Sequence, residues 1–502
     1  MKDIAKYNLF VEKYREFTHL SSINEILGWD QQVLMPKGAA GLRQSQSEAL
    51  AKQVHRLSTA PEYGSLLTEL YEEGEDSFSP VQWKNIKEAM RAYKESVQLP
   101  ESIILEIARL TMEGYAVWEG AKASGKYQDF AGIITRWINL KKRIAGILYP
   151  EKDAYDVCLD SFERGASREK IDRVFGVLKT GIIGLLREIK NSKVRLPLLP
   201  TGDYSLDAQK KLCRYVADKL GFSFERGRLD ESVHPFTGGY MRYDVRMTTY
   251  YRNDSFFKGL SGLVHESGHA IYEQGLPDGD AEFMPAGAPL GMAIHESQSI
   301  LYERMVGQAP VFFQWLLPKA AEYFGDLLSD CDADSFYRSI HEVKPSLIRI
   351  EADEVTYPLH IILRYELEKK LFDGSLSVND LPAAWNEMSR ELLGVMPDND
   401  SCGVLQDVHW SDGSFGYFPC YTLGAVYAAQ LFAAICKARP DTLEKIAIGE
   451  FEGIRKWLNS NIHSYGSLYE ADELIKMATG NDLSAEFFLD YLRKKYALIY
   501  DF

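Results

Sequence analysis

Leu263-Val264-His265-Glu266-Ser267-Gly268-His269-Ala270 is the stretch on which the reading of this chain turns. Asn253, Asp254 and Ser255 stand just upstream, and each of these residue types can cap a helix N-terminus. Gly275, the usual helix stop, stands just downstream, so the pattern predicts a helix from about 255 to 274. Residues four apart lie about 40° apart around a helix, so His265 and His269 point the same way, one turn apart. Two imidazoles so placed reach one Zn²⁺ at about 2.1 Å each. Glu266 lies about 100° round. That is too far to make it a third member of the pair, yet it still reaches a water on the metal, where a general base is useful. Gly268 leaves space beside the ligands. The plain alternative is a half-buried helix whose histidines are merely hydrogen-bonded, but the helix signals and the residues downstream agree with a metal site.

A catalytic zinc site needs three protein ligands and an open position, so the third ligand comes from outside this helix. Pro277 to Gly291, rich in Pro and Gly, reads as a loop long enough to line a cleft. Met292 to Met305 reads as a helix closed by Gly307, with His295-Glu296-Ser297-Gln298-Ser299 in its first turns. His295 and Glu296 are the nearest candidates, and spacing does not choose between them. Upstream, Tyr240 to Tyr250 alternates with period two after the turn signal Gly238-Gly239. Arg242, Asp244, Arg246 and Thr248 fall on one face; Met241, Tyr243, Val245 and Met247 fall on the other. The pattern predicts a small antiparallel sheet beside the metal helix. Its free edge could pair with an extended peptide, and an ordinary strand with a solvated polar face is the equal alternative.

From residue 3 to about 220 nearly every segment reads as helix. Phe10, Tyr14 and Phe17 recur at helical spacing; Met35-Pro36-Lys37-Gly38 breaks the run, and Leu42 to Ser58 resumes it. Ser79-Pro80 starts a helix to Gln98, since Pro is tolerated in a first turn. Ile103 to Leu148 breaks near Ser124-Gly125, and further helices run from Ser167 to about Lys190 and from Asp207 to Leu220. Downstream of the metal region, Ser346 to about Leu371 reads as a helix on which Arg349 and Asp353, four apart, can pair. From Thr422 to Phe502 the pattern is again helical. The expected architecture is mainly α: one large helical body with a deep catalytic cleft and a small antiparallel sheet next to the metal helix. It forms a single domain over 1–502, with 1–220 as its helical N-terminal part and 221–502 carrying sheet, metal site and C-terminal helices.

The chain has 502 residues, 46% of them hydrophobic, and a net charge of −15. Such a charge favours solubility and argues against a nucleic-acid surface, and no Lys/Arg-rich run appears. A solvated surface accounts for it, a preference for basic substrates being the lesser reading. The six cysteines are widely spaced and form no CxxC, which leaves no second zinc site to suggest and fits a reducing compartment. Met1 to Thr18 reads as an amphipathic helix and not as a signal peptide. No apolar run approaches membrane-spanning length on this reading, so a soluble, cytoplasmic protein without a membrane partner is expected.

Further motifs appear in a fixed order. Trp29-Asp30 with Met35-Pro36 comes first, then His234-Pro235-Phe236, then Asp244-x-Arg246-x-Thr248. After HExxH come His295-Glu296-Ser297-x-Ser299, Ile348-Arg349-x-x-Ala352-Asp353 and Gly403-x-x-Gln406-Asp407-x-His409-Trp410. HExxH alone names only a large superfamily; this ordered set resembles the carboxypeptidase Taq family of zinc metallocarboxypeptidases. The resemblance implies His265, His269 and Glu296 as ligands of a Zn²⁺ that Co²⁺ can replace, and Glu266 as catalytic base. It implies Arg349 as a substrate-binding residue, with Tyr421, His409 and His234 near the substrate. A largely helical homodimer with a cleft that excludes folded proteins is implied as well. The substrate is then a peptide with a free C-terminus, whose carboxylate needs a cation; Arg matches it best, and Arg246 and Arg349 are available. An HExxH oligopeptidase cutting short peptides internally is the alternative. An aminopeptidase would instead need carboxylates to hold a free amine. A scaffold with structural zinc would need a fourth ligand, usually Cys, and none lies near the motif.

Overall fold

Large apolar residues at helical spacing build most of the chain. The computed structural model describes residues 4–239, 241–328 and 331–502; Met1, Lys2, Asp3 and Tyr240 of the segments read above lie outside the described residues. A long helix, Ile4–Val33, opens the chain, and after the Met35-Pro36 break Ala40–Ser58 turns back against it. In helix Pro80–Gln98, Ser79 accepts from the Gln82 N–H while Gln82 Oε1 accepts from the Ser79 N–H, a reciprocal cap that fixes the start. Helices Glu101–Ser124 and Gln128–Leu148 are separated at Gly125, where the pattern predicted a break. Helix Arg168–Asn191 buries Ile171, Val174, Phe175, Leu178, Ile182, Leu185 and Ile189 along one stripe. The main apolar core runs from Ile103 to Tyr500, and a second, smaller cluster joins Tyr7, Phe10, Tyr63 and Met90 to Met284.

The sheet is small and mixed, which corrects the antiparallel expectation. Its order is β1 (Gly227–Glu231), β3 (Val245–Thr249), β2 (Thr237–Gly239). β2 runs antiparallel to β3, but β1 runs parallel to it, Gly227 facing Val245 and Glu231 facing Thr249. The chain leaves β1, returns along β2 and then inserts β3 between them, so the first and last strands share a direction. Among the described residues of the alternating stretch only 245–249 is strand, because Met241 to Asp244 forms a turn closed by the Asp244 N–H on the Met241 carbonyl at 2.9 Å. Thr248 of the polar face is buried and bonded to Ser232, and on the opposite face Thr249 donates to the Gly259 carbonyl of the metal helix at 2.8 Å. The sheet is thereby fastened to the helix it precedes.

Two further expectations are corrected. Helix Tyr357–Asp373 begins eleven residues later than the pattern from Ser346 suggested, and Arg349 lies on a short 3₁₀ turn, Arg349–Glu351. The Asp353 carboxylate accepts from the backbone N–H groups of Val355 and Thr356 at 2.9 Å each, and Pro358 occupies the first turn. Those are helix-start interactions, so Asp353 caps the helix instead of pairing with Arg349. Helix Pro419–Ala438 is also long and apolar enough to cross a membrane, with a mean hydropathy of 1.4 over its most apolar window, of which 72% is buried within the protein. Its length and apolar character correct the expectation that no run approaches that size; its faces are covered by the second site helix and the C-terminal helices. All six cysteines are free.

The HExxH helix, Phe256–Gly275, crosses the helix Met292–Ile300 at Gly268. A Cβ at Gly268 would stand 2.4 Å from the Gln298 carbonyl oxygen and 2.6 Å from Ser299 Cα. Backbone cannot yield there as a flexible side chain would. Gly268→Ala is therefore expected to lower unfolding free energy by about 1–3 kcal/mol, measured by denaturant titration; stability equal to wild type would mean that the crossing is loosely packed.

Candidate metal centre and active site

The crossing sets the site. His265 and His269 project from one helix and Glu296 from the other, and their ligand atoms all lie within 4.8 Å of one another. Glu296 Oε2 stands 3.4 Å from His269 Nε2 and 3.8 Å from His265 Nε2. Helix Pro419–Ala438 closes over this group, approaching so near that a Cβ on Gly424 would sit 2.7 Å from Glu296 Cγ. His295, which spacing left level with Glu296, takes another place: its Nδ1 meets His269 Nδ1 at 2.6 Å and its Nε2 meets Glu273 Oε1 at 2.8 Å. His265 Nδ1 is held in turn by Glu303 Oε2 at 2.9 Å. Both ligand imidazoles are thus gripped at Nδ1, leaving Nε2 of each turned toward Glu296. That is how metal-binding histidines are normally oriented. Glu303 and Glu273 escaped the sequence reading; Glu303 lies two helical turns after Glu296, in a π-helical turn, Leu301–Val306.

Electrostatics favour a cation here. Burial works against a charged His265, but Glu296 and Glu303 outweigh it and push its pKa up to about 10. Burial likewise opposes ionisation of Glu303, yet its hydrogen bond from His265 holds it down at about 2. His269 is lowered by burial to about 4 and stays neutral, as a ligand must. Two nitrogens and a carboxylate oxygen, with carboxylates behind them and a cavity on one side, fit a divalent ion of the zinc type.

Glu266 is buried, 6% exposed, and lines a cavity of about 840 Å³ together with His269 and Thr237. Burial raises its pKa. Thr237 Oγ1 donates to Glu266 Oε2 at 2.6 Å, which fixes the carboxylate from the sheet edge. Thr237, next to the His234-Pro235-Phe236 motif, was another residue the sequence reading missed. His234 itself is exposed, and its neighbour Pro235 lines the cavity.

Arg349 sits in a second group. It is 6% exposed, donates from Nε to Asp407 Oδ1 at 2.9 Å and from Nη1 to Tyr357 Oη at 2.8 Å. Asp407 also accepts from Arg364 Nε at 2.7 Å, so one carboxylate serves two guanidiniums and the group keeps a positive excess. Although burial opposes it, that pairing holds the Asp407 carboxyl well below the usual range. Tyr421 stacks 5.0 Å from the Arg349 guanidinium, and its hydroxyl lies 3.2 Å from His409 Nε2. Burial lowers His409 to about 4, leaving it neutral. Arg349, His409 and Tyr421 are therefore brought together. Arg246 is not with them: it pairs with Asp244 at 2.7 Å and lies over the Trp29 ring.

A family model described as carboxypeptidase Taq (M32) metallopeptidase matches residues 9–496. The chain is 38% identical to thermostable carboxypeptidase 1 of Thermus thermophilus, over 99% of each chain. It is 36% identical to carboxypeptidase 1 of Bacillus subtilis, over 98% of each. Among solved structures, the M32 carboxypeptidase from Deinococcus radiodurans superposes with a TM-score of 0.95 at 32% identity, covering 99% of this chain and 100% of that one.

The grip on Nδ1 yields a measurable consequence. Glu303→Gln and Glu273→Gln are expected to leave the fold intact and to weaken metal retention by about 10–100-fold. Elemental analysis after dialysis against graded chelator reads this; retention equal to wild type in both would show that these carboxylates do not orient the imidazoles.

Proposed function

The chain belongs to the carboxypeptidase Taq (M32) family of metallopeptidases, and from that premise we propose that it removes C-terminal residues from peptides at a Zn²⁺ held by His265, His269 and Glu296. It is a metallocarboxypeptidase, and its substrates are peptides. The observation that supports this assignment of residues is the triad of ligand atoms within 4.8 Å beside the buried Glu266. Co²⁺, which accepts the same donors, is expected to replace Zn²⁺. A homodimer in the cytoplasm is part of the same reading.

When bound, such an ion acts as a Lewis acid, lowering the pKa of water to about 7 and offsetting charge on the scissile carbonyl oxygen. The remaining steps belong to the chain. Glu266, with Oε2 held by Thr237, takes the proton of the attacking water and delivers it to the leaving amine nitrogen. Its burial suits both roles, since a carboxylate whose pKa is raised is a better base and can be an acid in turn. Arg349 holds the substrate's terminal carboxylate. A guanidinium has five N–H donors; contacts with Asp407 and Tyr357 leave donors over for a two-point grip. Asp407 and Tyr357 fix the plane of the fork, so little freedom is lost on binding. Tyr421 and neutral His409 offer further hydrogen bonds at that end.

Two expected outcomes follow from these roles. Glu266→Gln keeps shape and metal but removes the base, and turnover should fall by at least ~10²–10⁴; Glu296→Gln should instead release the metal. If elemental analysis showed metal lost from the first and retained by the second, the two roles would be exchanged. Arg349→Ala should cost about 2–4 kcal/mol in kcat/KM on free-acid peptides, and little on C-terminally amidated ones, which the wild type should already cleave poorly. Product masses from one peptide in both forms decide it: ready cleavage of the amide would mean internal cutting.

A further inference from the structure

Arg349 is not part of the wall of the cavity beside Glu266. The cavity of about 840 Å³ opens from Glu266, His269 and His295 toward the N-terminal helix and β2, and neither Arg349, Asp407, His409 nor Tyr421 lines it. A peptide whose C-terminus is held at Arg349, with its last peptide bond at Glu266, must therefore extend its upstream residues into this space. That geometry rests on the Arg349 anchor proposed above.

Two residues of the helix Ile4–Val33, one turn apart, face that path. Trp29 is 2% exposed and lines the cavity, yet its indole Nε1–H has no hydrogen-bond partner. A buried donor left unsatisfied is costly, of the order of 1–3 kcal/mol, and the guanidiniums of Arg228 and Arg246, 4.9 and 4.7 Å from the ring centroid, help to hold the indole where it is. Glu25 lines the same wall, and among the described residues no cation lies within ion-pairing distance of its carboxylate. Glu273 and Glu282 add negative charge to the lining, while its lining arginine, Arg242, is engaged by Asp278 at 3.1 Å. Glu25 is exposed to the cavity, and its partial desolvation, then the Glu273 carboxylate, raise its pKa.

We propose that Trp29 and Glu25 form a subsite for the residues upstream of the scissile bond, in which the indole N–H donates to a substrate carbonyl and the Glu25 carboxylate selects a lysine or arginine side chain. The Trp29 contact is made with any sequence, since every residue has a carbonyl. The Glu25 contact discriminates. Trp29-Asp30, which has no part in the metal chemistry, thereby acquires a role in binding.

The test uses peptides with a fixed C-terminal leucine and Lys, Gln or Glu placed in turn at each of the three preceding positions, in free-acid and amidated forms. Wild type should favour Lys over Glu in kcat/KM by about tenfold at one or more positions, the scale of one partly exposed ion pair replacing one repulsion. In Glu25→Gln the ratio should fall to within about twofold, with the melting temperature unchanged. Trp29→Phe keeps the ring and removes the donor; KM should rise about three- to tenfold on all the peptides with kcat retained. Equal rates for Lys and Glu peptides in wild type, or an undiminished preference in Glu25→Gln, would overturn the subsite. No Lys-over-Glu preference in wild type while amides stay uncleaved condemns the subsite alone. Ready cleavage of amides condemns the Arg349 anchor on which it rests.

Discussion

The close crossing of two helices at Gly268 is the constraint on which the site depends. One helix carries two imidazoles, the other a carboxylate, and neither makes a three-ligand group alone. Because Gly268 has no Cβ, the Gln298 backbone comes near enough for Glu296 Oε2 to lie 3.4 Å from His269 Nε2. Glycine at 424 lets a third helix seal the other flank of Glu296. Buried carboxylates and imidazoles in such density are costly without a cation. The same density shows in the Glu296 and Glu303 carboxylates raising the pKa of His265 against its burial. A divalent ion bound there would satisfy these carboxylates, so its affinity would be coupled to the packing of the helices.

The second group solves a different electrostatic problem. Two buried guanidiniums share a single internal acid. Asp407 is shared between Arg349 and Arg364, so neither arginine is neutralised in full. Tyr357 and Tyr421 pack about Arg349 and keep water from it. The sheet is tied to the HExxH helix through Thr249 and to Glu266 through Thr237, so these elements are held as one unit.

The chain's own spacing was enough for the helical class, the break at Gly125, the helix start at Ser79-Pro80 and the pointing of His265 and His269. All of these depend on neighbours within about four residues. Asp353 shows where local reasoning stops. Four residues from Arg349, it invited an i,i+4 pair, but Pro358 and the free N–H groups of Val355 and Thr356 made it a helix cap, and the partner of Arg349 lies 58 residues away. The sheet failed for the same reason: period-two alternation marks a strand without saying which neighbour it takes or in which direction.

Sequence by itself therefore determined the helical architecture, the HExxH pair and, through the ordered motifs, the family. Spacing could not choose between the adjacent His295 and Glu296, since neighbours on a helix point about 100° apart; the ordered motifs implied Glu296, and the helix crossing sets its Oε2 beside both imidazoles. Tertiary structure alone decided that Glu303 and the His295–Glu273 pair hold the imidazoles, that Thr237 holds Glu266, and that Asp407 is divided between two arginines. Each of these contacts joins residues from separate elements. Their geometry is a property of packing, which no local spacing encodes.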